Sequence, residues 1–293
     1  MVDDRPTVAV VLGRLIAPGS ESKTARDVAI KGADDILEQA GAWQSMSSRQ
    51  DSIEVACAFS RAGINRGHEL VGRMASMGEQ LGLAFAAAVE SAFWSTAGDF
   101  RHRDLARRAL VELQTHFVLG TGHGLANVAY RALALQPEIR GLLLARLKTT
   151  FPPFSEVRTD WKSLNKEEMR QLHSVASEFG NTAILRLIEP VIELAAGPLW
   201  NDLSRLRAKD FHRWRPQSAA IAGVPQTTPY KTLPDGSVTT EFRYPRESTE
   251  ELSLQAAEIA NTSMHALAIT MKEFLDRFPD ASEVLFDGRA RIG

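Results

Sequence analysis

Hydrophobic residues along most of the chain recur every three or four positions, which is the period of an α-helix. The clearest case is the segment 250–278, whose apolar positions are Leu252, Ile259, Met264, Leu267, Met271, Phe274 and Phe278. Similar patterns and helix-ending residues predict further helices at 51–94, 103–119, 125–135, 137–151, 165–180, 181–196 and 199–215. The pattern therefore indicates a bundle of about eight helices.

Residues at the ends of one of these segments are typical of helix termini. Asn165 with Glu168 three residues later forms a capping box, which satisfies backbone amides of the first turn. Gly180 suits the left-handed position at which helices commonly end. The two signals together predict a helix that begins at Asn165 and ends at Gly180.

Three glycines interrupt the apolar pattern in the middle of the chain. Gly120, Gly122 and Gly124 are poor helix formers, so they predict a tight turn between two helices. Their spacing approaches that of a dinucleotide-binding loop, but the last glycine is one residue early and the preceding segment is helical rather than extended. We therefore expect a helix–helix turn, which contains His123, a histidine that packing alone does not explain.

One segment alternates at the period of a β-strand instead. Its alternating residues are Val238, Thr240, Phe242 and Tyr244. They follow the turn sequence Pro-Asp-Gly at 234–236, so the segment predicts a small β-hairpin near 228–244.

The predicted elements give an all-α fold class with this hairpin as an insertion. Neither a long polar linker nor an internal repeat divides the chain, so we expect one α-helical domain over residues 1–293. Within it lie a basic segment at 201–215, a hairpin-containing loop at 216–246 and an acidic C-terminal helix at 250–278.

The composition is that of an ordinary globular protein. The hydrophobic fraction is 44%, the charged fraction 24% and the formal net charge −2, which excludes disorder and gives no whole-molecule reason to bind nucleic acid or membranes. A single cysteine, Cys57, excludes an internal disulfide and a thiolate metal cluster. With neither a signal-peptide pattern nor a long apolar span, we expect a soluble, cytoplasmic protein with no membrane partner.

Motifs of the common cofactor and metal sites do not occur in the sequence. It contains no P-loop, no His-Glu-x-x-His, no Gly-x-Ser-x-Gly, no Cys-x-x-Cys and no Glu-x-x-His. We therefore predict no cofactor and no metal ion, and the sequence leaves open whether the protein is an enzyme.

The densest unusual chemistry lies between residues 205 and 215. On a helix, Arg207 and Asp210 project into the apolar arc that contains Trp200 and Leu203. Because arginine keeps its charge, burying it requires a carboxylate or an anionic ligand. Two interpretations stay open, a structural Arg–Asp pair and a binding site for phosphate, a nucleotide or the RNA backbone. The candidate ligand-binding residues are Arg205, Arg207, Asp210, His212, Arg213 and Arg215, together with His123.

A metal-independent helical ribonuclease is an alternative function. Such an enzyme would use an Arg–His pair, with four to six residues between the two, for acid–base chemistry and phosphate stabilisation. The pairs with this spacing are Arg207/His212, Arg205/His212 and Arg61/His68. Chance gives about as many pairs in a chain with this content of arginine and histidine, so the spacing alone does not select this function.

A structural or assembly protein without a ligand is the other alternative. The segment 101–148 holds 8 basic and 3 acidic residues, a balance of +5, whereas 247–293 holds 4 basic and 9 acidic residues, a balance of −5. These segments could contact each other within one chain or between two copies, which would make the protein a homo-oligomer.

Overall fold

In a computed structural model of the protein, the described residues are 33–48, 67–94, 100–147, 162–212, 226–227, 231–239, 242–243 and 249–285. Several sequence-based predictions lie outside this part of the chain. They include the first part of the helix predicted at 51–94, the lone Cys57, and the candidate site residues Arg213 and Arg215. The backbone of Asp210 and His212 is described, but their side chains are not.

Helices account for most of the described residues, and the predicted all-α class is confirmed. The α-helices are α1 (Ala33–Gln44), α2 (Gly67–Trp94), α3 (Phe100–Leu133), α4 (Pro137–Leu147), α5 (Lys166–Phe179), α6 (Thr182–Ala196), α7 (Pro198–His212) and α8 (Thr249–Leu285). A short 3₁₀ helix, Ser45–Ser48, follows α1. None of the helices in the described part of the chain combines the length and the apolarity needed to cross a membrane.

In the described residues between α7 and α8, each β-strand is only two residues long. They are β1 (Gln226–Thr227), β2 (Lys231–Thr232), β3 (Val238–Thr239) and β4 (Phe242–Arg243). β1 pairs antiparallel with β4, and β2 pairs antiparallel with β3. Residues 232–237 are exposed, so this region contributes no side chain there to the core. A β-hairpin insertion near 228–244 stays a prediction.

The apolar face of α8 lies in the centre of the core, as its sequence predicts. Met264, Leu267, Met271 and Phe274 are fully buried. The ring of Phe274 packs against Trp43 of α1, with 6.3 Å between the ring centroids. The period of the apolar residues therefore identifies the buried face of this helix correctly.

Helices α3 and α8 lie side by side and run in the same direction. The amide Nε2 of Gln114 donates to Oδ1 of Asn261 at 2.7 Å, and Nε2 of Gln136 donates to the carbonyl oxygen of Val284 at 3.2 Å. The positively and negatively charged segments identified in the sequence thus contact each other within one chain, through neutral amides at these two points. Contact between two copies stays a prediction.

The glycine cluster does not form the predicted turn, because α3 continues through it without a break. A Cβ atom on Gly122 would lie 2.6 Å from Cζ2 of Trp200, and one on Gly124 would lie 2.8 Å from Cγ of Met77. These glycines therefore leave room for side chains of α7 and α2 to approach the backbone of α3. Packing against other helices outweighs the low helix propensity of glycine here.

The capping residues of α5 lie where the sequence predicts them, but the predicted capping box is only half formed, because the backbone amide of Asn165 donates to the carbonyl oxygen of Ser163 and not to Glu168. Oδ1 of Asn165 accepts a hydrogen bond from the backbone amide of Glu168 at 2.9 Å, while the Glu168 carboxylate accepts from the amide of Ser163 at 2.8 Å. At the other end, Gly180 adopts the left-handed conformation with φ of 77°. The start and the end of this helix are confirmed, and the start positions the segment that reaches the candidate site.

Candidate functional site

The first half of α7 is fixed on α3 by the indole ring of Trp200. This side chain is 1% exposed, and its Nε1 donates to the carbonyl oxygen of Leu164 at 2.6 Å. The ring lies against Gly122 and meets the ring of His123 edge-on, with 6.2 Å between the centroids. Since a side chain on Gly122 would occupy the same space, this glycine sets how closely α7 approaches α3.

A polar stripe runs along the otherwise apolar second half of α3. His123, Asn127 and Tyr130 are spaced i, i+4 and i+7, which places them on one face of the helix. All three contact the stretch 162–168, which leads into α5. The first of these contacts is a hydrogen bond from the backbone amide of Leu164 to Nδ1 of His123 at 2.9 Å.

The other two residues of the stripe extend this contact towards α5. The side-chain amide of Asn127 donates to the carbonyl oxygen of Lys162 at 2.8 Å and accepts from its backbone amide at 3.0 Å. The hydroxyl of Tyr130 donates to the carbonyl oxygen of Glu168 at 2.8 Å. Burial, and then the nearby Glu168 carboxylate, raise the pKa of Tyr130, so the hydroxyl keeps its proton at neutral pH.

The surroundings of His123 favour its neutral form. Burial is the larger cause that lowers its pKa below the ordinary value of 6.5, and the positive charge of Arg207 is the second. Because Nδ1 accepts the Leu164 amide hydrogen, the neutral ring carries its proton on Nε2. Within the described residues no hydrogen bond occupies Nε2, which makes it a candidate donor to a ligand.

Arg207 of α7 is a charged group that bears on His123. It follows Trp200 by seven residues, so the two side chains leave the helix within about 20° of each other, separated by two turns. Because α7 is helical through this segment, Arg207 shares the face of Trp200, and its positive charge acts on His123. The predicted burial is wrong, because Arg207 is exposed. It also makes contacts other than the one with His123.

The remaining residues of the predicted basic site are only partly described. Arg205 is 78% exposed at its side chain and lies 3.7 Å from Asp202, which is 49% exposed. This is a surface ion pair, which stabilises a protein little. The interactions predicted for Asp210, His212, Arg213 and Arg215 involve side chains outside the described part of the chain, so an Arg207–Asp210 pair and an Arg–His pair stay predictions.

The structure adds polar residues that the sequence did not single out. Lys162 places its ammonium group 5.5 Å from the centre of the Tyr130 ring, a cation–π arrangement. Asn127 and Tyr130 were visible in the sequence as isolated polar residues on an apolar helix, and their spacing from His123 was the available signal. The position of Lys162 had no such signal, because it depends on how the chain returns to α3.

The residues around this part of α3 include a histidine whose environment favours the neutral form, an exposed arginine that acts on it, and a lysine over the Tyr130 ring. Such groups can donate hydrogen bonds and carry positive charge, which suits the recognition of an anion. No family model, no curated protein and no solved structure matches this chain.

Proposed function

We propose that the protein is a binding module for an anionic ligand that carries a phosphate group. The ligand would bind where the second half of α7 passes the polar stripe of α3. The observation that carries the proposal is the placement of two groups, Arg207 and His123. Arg207 is exposed on the α7 face of Trp200, and the Trp200 ring meets the ring of His123, whose Nδ1 is occupied by the Leu164 amide. One residue supplies a permanent positive charge and the other a neutral donor at Nε2.

The chemistry of the two groups supports phosphate as the recognised group. The guanidinium of Arg207 has five N–H donors in a planar fork, so it can bind two phosphate oxygens while it keeps other contacts within the protein. Arg205 lies on the same exposed half of α7, and its pairing with Asp202 is loose at 3.7 Å. Free phosphate, a nucleotide and the RNA backbone all present the same oxygens, and the experiment separates them.

Thermal unfolding with and without each candidate ligand tests this proposal, because a ligand of the native state raises its unfolding midpoint. Inorganic phosphate, ATP and a short single-stranded RNA are compared at low salt. We expect at least one of them to raise the midpoint of the wild-type protein and to lose this effect at high salt. The substitution Arg207→Gln should remove most of the rise.

Arg170→Gln is the matched control. Arg170 is also an exposed arginine on a helix, paired at 2.7 Å with Glu167 of α5, and it should keep the full ligand response. The proposal fails if none of the three ligands raises the midpoint. It also fails if the Arg207 and Arg170 variants respond equally to the ligand.

We also infer that the chain forms one domain over 1–293 with a β-hairpin between α7 and α8. The single hydrophobic core contains residues from all eight described α-helices, which supports one domain. The pairing of β2 with β3 and the left-handed Gly236, with φ of 81°, support the hairpin. One cooperative unfolding transition is the expected result for a single domain. A cytoplasmic location and a homo-oligomeric state stay predictions.

A further inference from the structure

The peptide group of Leu164 is held from both sides. Its amide hydrogen is donated to Nδ1 of His123 on α3, and its carbonyl oxygen accepts from Nε1 of Trp200 on α7. The Leu164 side chain is fully buried beneath these contacts. One residue of the segment before α5 thus joins three helices of the bundle.

Among the described side chains that hydrogen-bond to this segment, His123 is the one whose ordinary pKa lies near neutral pH, and the Glu168 carboxylate, which accepts from the Ser163 amide, belongs to a class that titrates at lower pH. The indole of Trp200 and the side-chain amide of Asn127 do not titrate, whereas an imidazole does. Nδ1 of His123 can accept the Leu164 amide hydrogen only while it carries no proton. Protonation would place two hydrogens against each other at this point and break the bond.

We propose that the Leu164–His123 hydrogen bond is an acid-sensitive latch, which fastens the segment 162–165 to α3 and α7 and opens when His123 takes up one proton. The proposal goes beyond the anion-binding function and does not depend on it. When the latch is open, the Leu164 amide loses its partner, and the contact between α5 and the face of α3 beside Arg207 loosens.

Burial and, second, the positive charge of Arg207 on α7 disfavour a proton on His123 and keep the latch closed at neutral pH. Lys162 of the segment itself places its ammonium group 5.5 Å from the centre of the Tyr130 ring. The Glu168 carboxylate of α5 accepts hydrogen bonds from the backbone amide of Ser163 and from the side-chain amide of Asn165. Tyr130 of α3 stays protonated, and α2 presents the neutral thioether of Met77 at Gly124. Opening therefore occurs below the ordinary pKa of histidine.

Amide hydrogen exchange of the full-length protein, without added anion, tests the latch. As the pH falls towards the midpoint of opening, protection of the Leu164 amide should fall by about tenfold for each pH unit, as expected for one proton, and it should level off below the midpoint. The amide of Gly180, which donates to the carbonyl oxygen of Ala176 at the far end of α5, serves as the internal control. Its protection should stay constant across the same pH range.

Two variants separate the latch from general acid destabilisation. His123→Asn keeps an acceptor near the position of Nδ1 but cannot take up a proton, so Leu164 should stay protected at low pH. Arg207→Gln removes the repelling charge, so opening should move to higher pH, towards 6.5. The proposal is overturned if the Asn variant loses protection as the wild type does, or if Leu164 and Gly180 respond alike. Should the Asn variant fail to fold, an unchanged opening midpoint in Arg207→Gln overturns it as well.

Because no ligand is present in this experiment, its outcome is independent of the anion-binding proposal. A latch that opens while no phosphate compound binds would refute the proposed function alone. Phosphate binding without a pH-dependent Leu164 amide would refute the latch alone.

Discussion

Trp200 in the first half of α7 and Arg207 in the second half lie on the same face of the helix. Even so, the first half is part of the hydrophobic core and the second half is not. Trp200 and Leu203 in the first half are buried, whereas Arg205 and Arg207 in the second half are exposed. The difference lies in what faces the helix. Trp200 of the first half packs against Gly122 of α3, whereas the second half leaves Arg207 exposed to solvent, although its charge still acts on His123 of α3. A helical period therefore predicts which face a residue lies on, but the neighbouring helices decide whether it is buried.

The first half of α7 should carry most of the stability that this helix contributes. Trp200→Ala removes a fully buried aromatic ring and leaves the carbonyl oxygen of Leu164 without its donor. We expect a loss of about 3–5 kcal/mol in the free energy of unfolding, measured by urea denaturation. Leu199→Ala is the control, because Leu199 is 37% exposed and should cost less than about 1 kcal/mol. Equal losses in the two variants would contradict the comparison.

The glycine opposite Trp200 should be almost as sensitive as the ring itself. A Cβ atom on Gly122 would overlap the indole, which cannot move aside without losing its hydrogen bond to Leu164. We therefore expect Gly122→Ala to destabilise the protein by about 1–3 kcal/mol. Gly141→Ala in α4 is the matched control, because nothing lies within 4 Å of its added Cβ. It should instead stabilise the protein by up to about 1 kcal/mol. If both variants changed the free energy of unfolding in the same direction, the indole of Trp200 would not be what limits how closely α7 approaches α3.

Much of the fold could be predicted from local patterns. The apolar period of α8 and the caps at Asn165 and Gly180 depend only on residues within a few turns of one another, and each prediction is confirmed. The turn predicted at Gly120, Gly122 and Gly124 was wrong because the structure there depends on a residue that is distant in the sequence. What keeps α3 helical there is packing with Trp200, which lies 78 residues after Gly122 in the sequence, and no local pattern shows that contact.

The candidate site also has one part that local sequence patterns predict and another part that depends on contacts distant in the sequence. The helical period places Arg207 on the face of Trp200, and this is the face that brings it to His123. Its burial could not be predicted, because that depends on how the neighbouring helices α3, α6 and α8 cover α7. The role of His123 was also hidden, since its partner is a backbone amide, and every residue except proline offers one.

The acid sensitivity of His123 should appear in global stability as well as at the latch. Because folding lowers its pKa below 6.5, the unfolded chain takes up the proton more readily as the pH falls. The stabilisation is therefore complete above about pH 6.5 and is lost below it, by at most about 1.4 kcal/mol per pH unit. Urea denaturation of the wild type and of His123→Asn across this range measures the difference. If the free energy of unfolding depended on pH in the same way in the two proteins, His123 would not be the cause of the acid sensitivity.

The second half of α7 should contribute least to stability, and the Arg205–Asp202 pair offers the sharpest check. Both side chains are largely exposed and lie 3.7 Å apart, so solvent screens their attraction and their ordering offsets part of it. A double-mutant cycle with Arg205→Ala and Asp202→Ala should give a coupling below about 1 kcal/mol, which added salt reduces further. The exposed Arg170–Glu167 pair of α5, measured in the same way, provides the reference for an ordinary surface pair. A clearly larger, salt-resistant coupling in α7 would mean that its basic half is held as firmly as the half that carries Trp200, and the contrast between the halves would no longer stand.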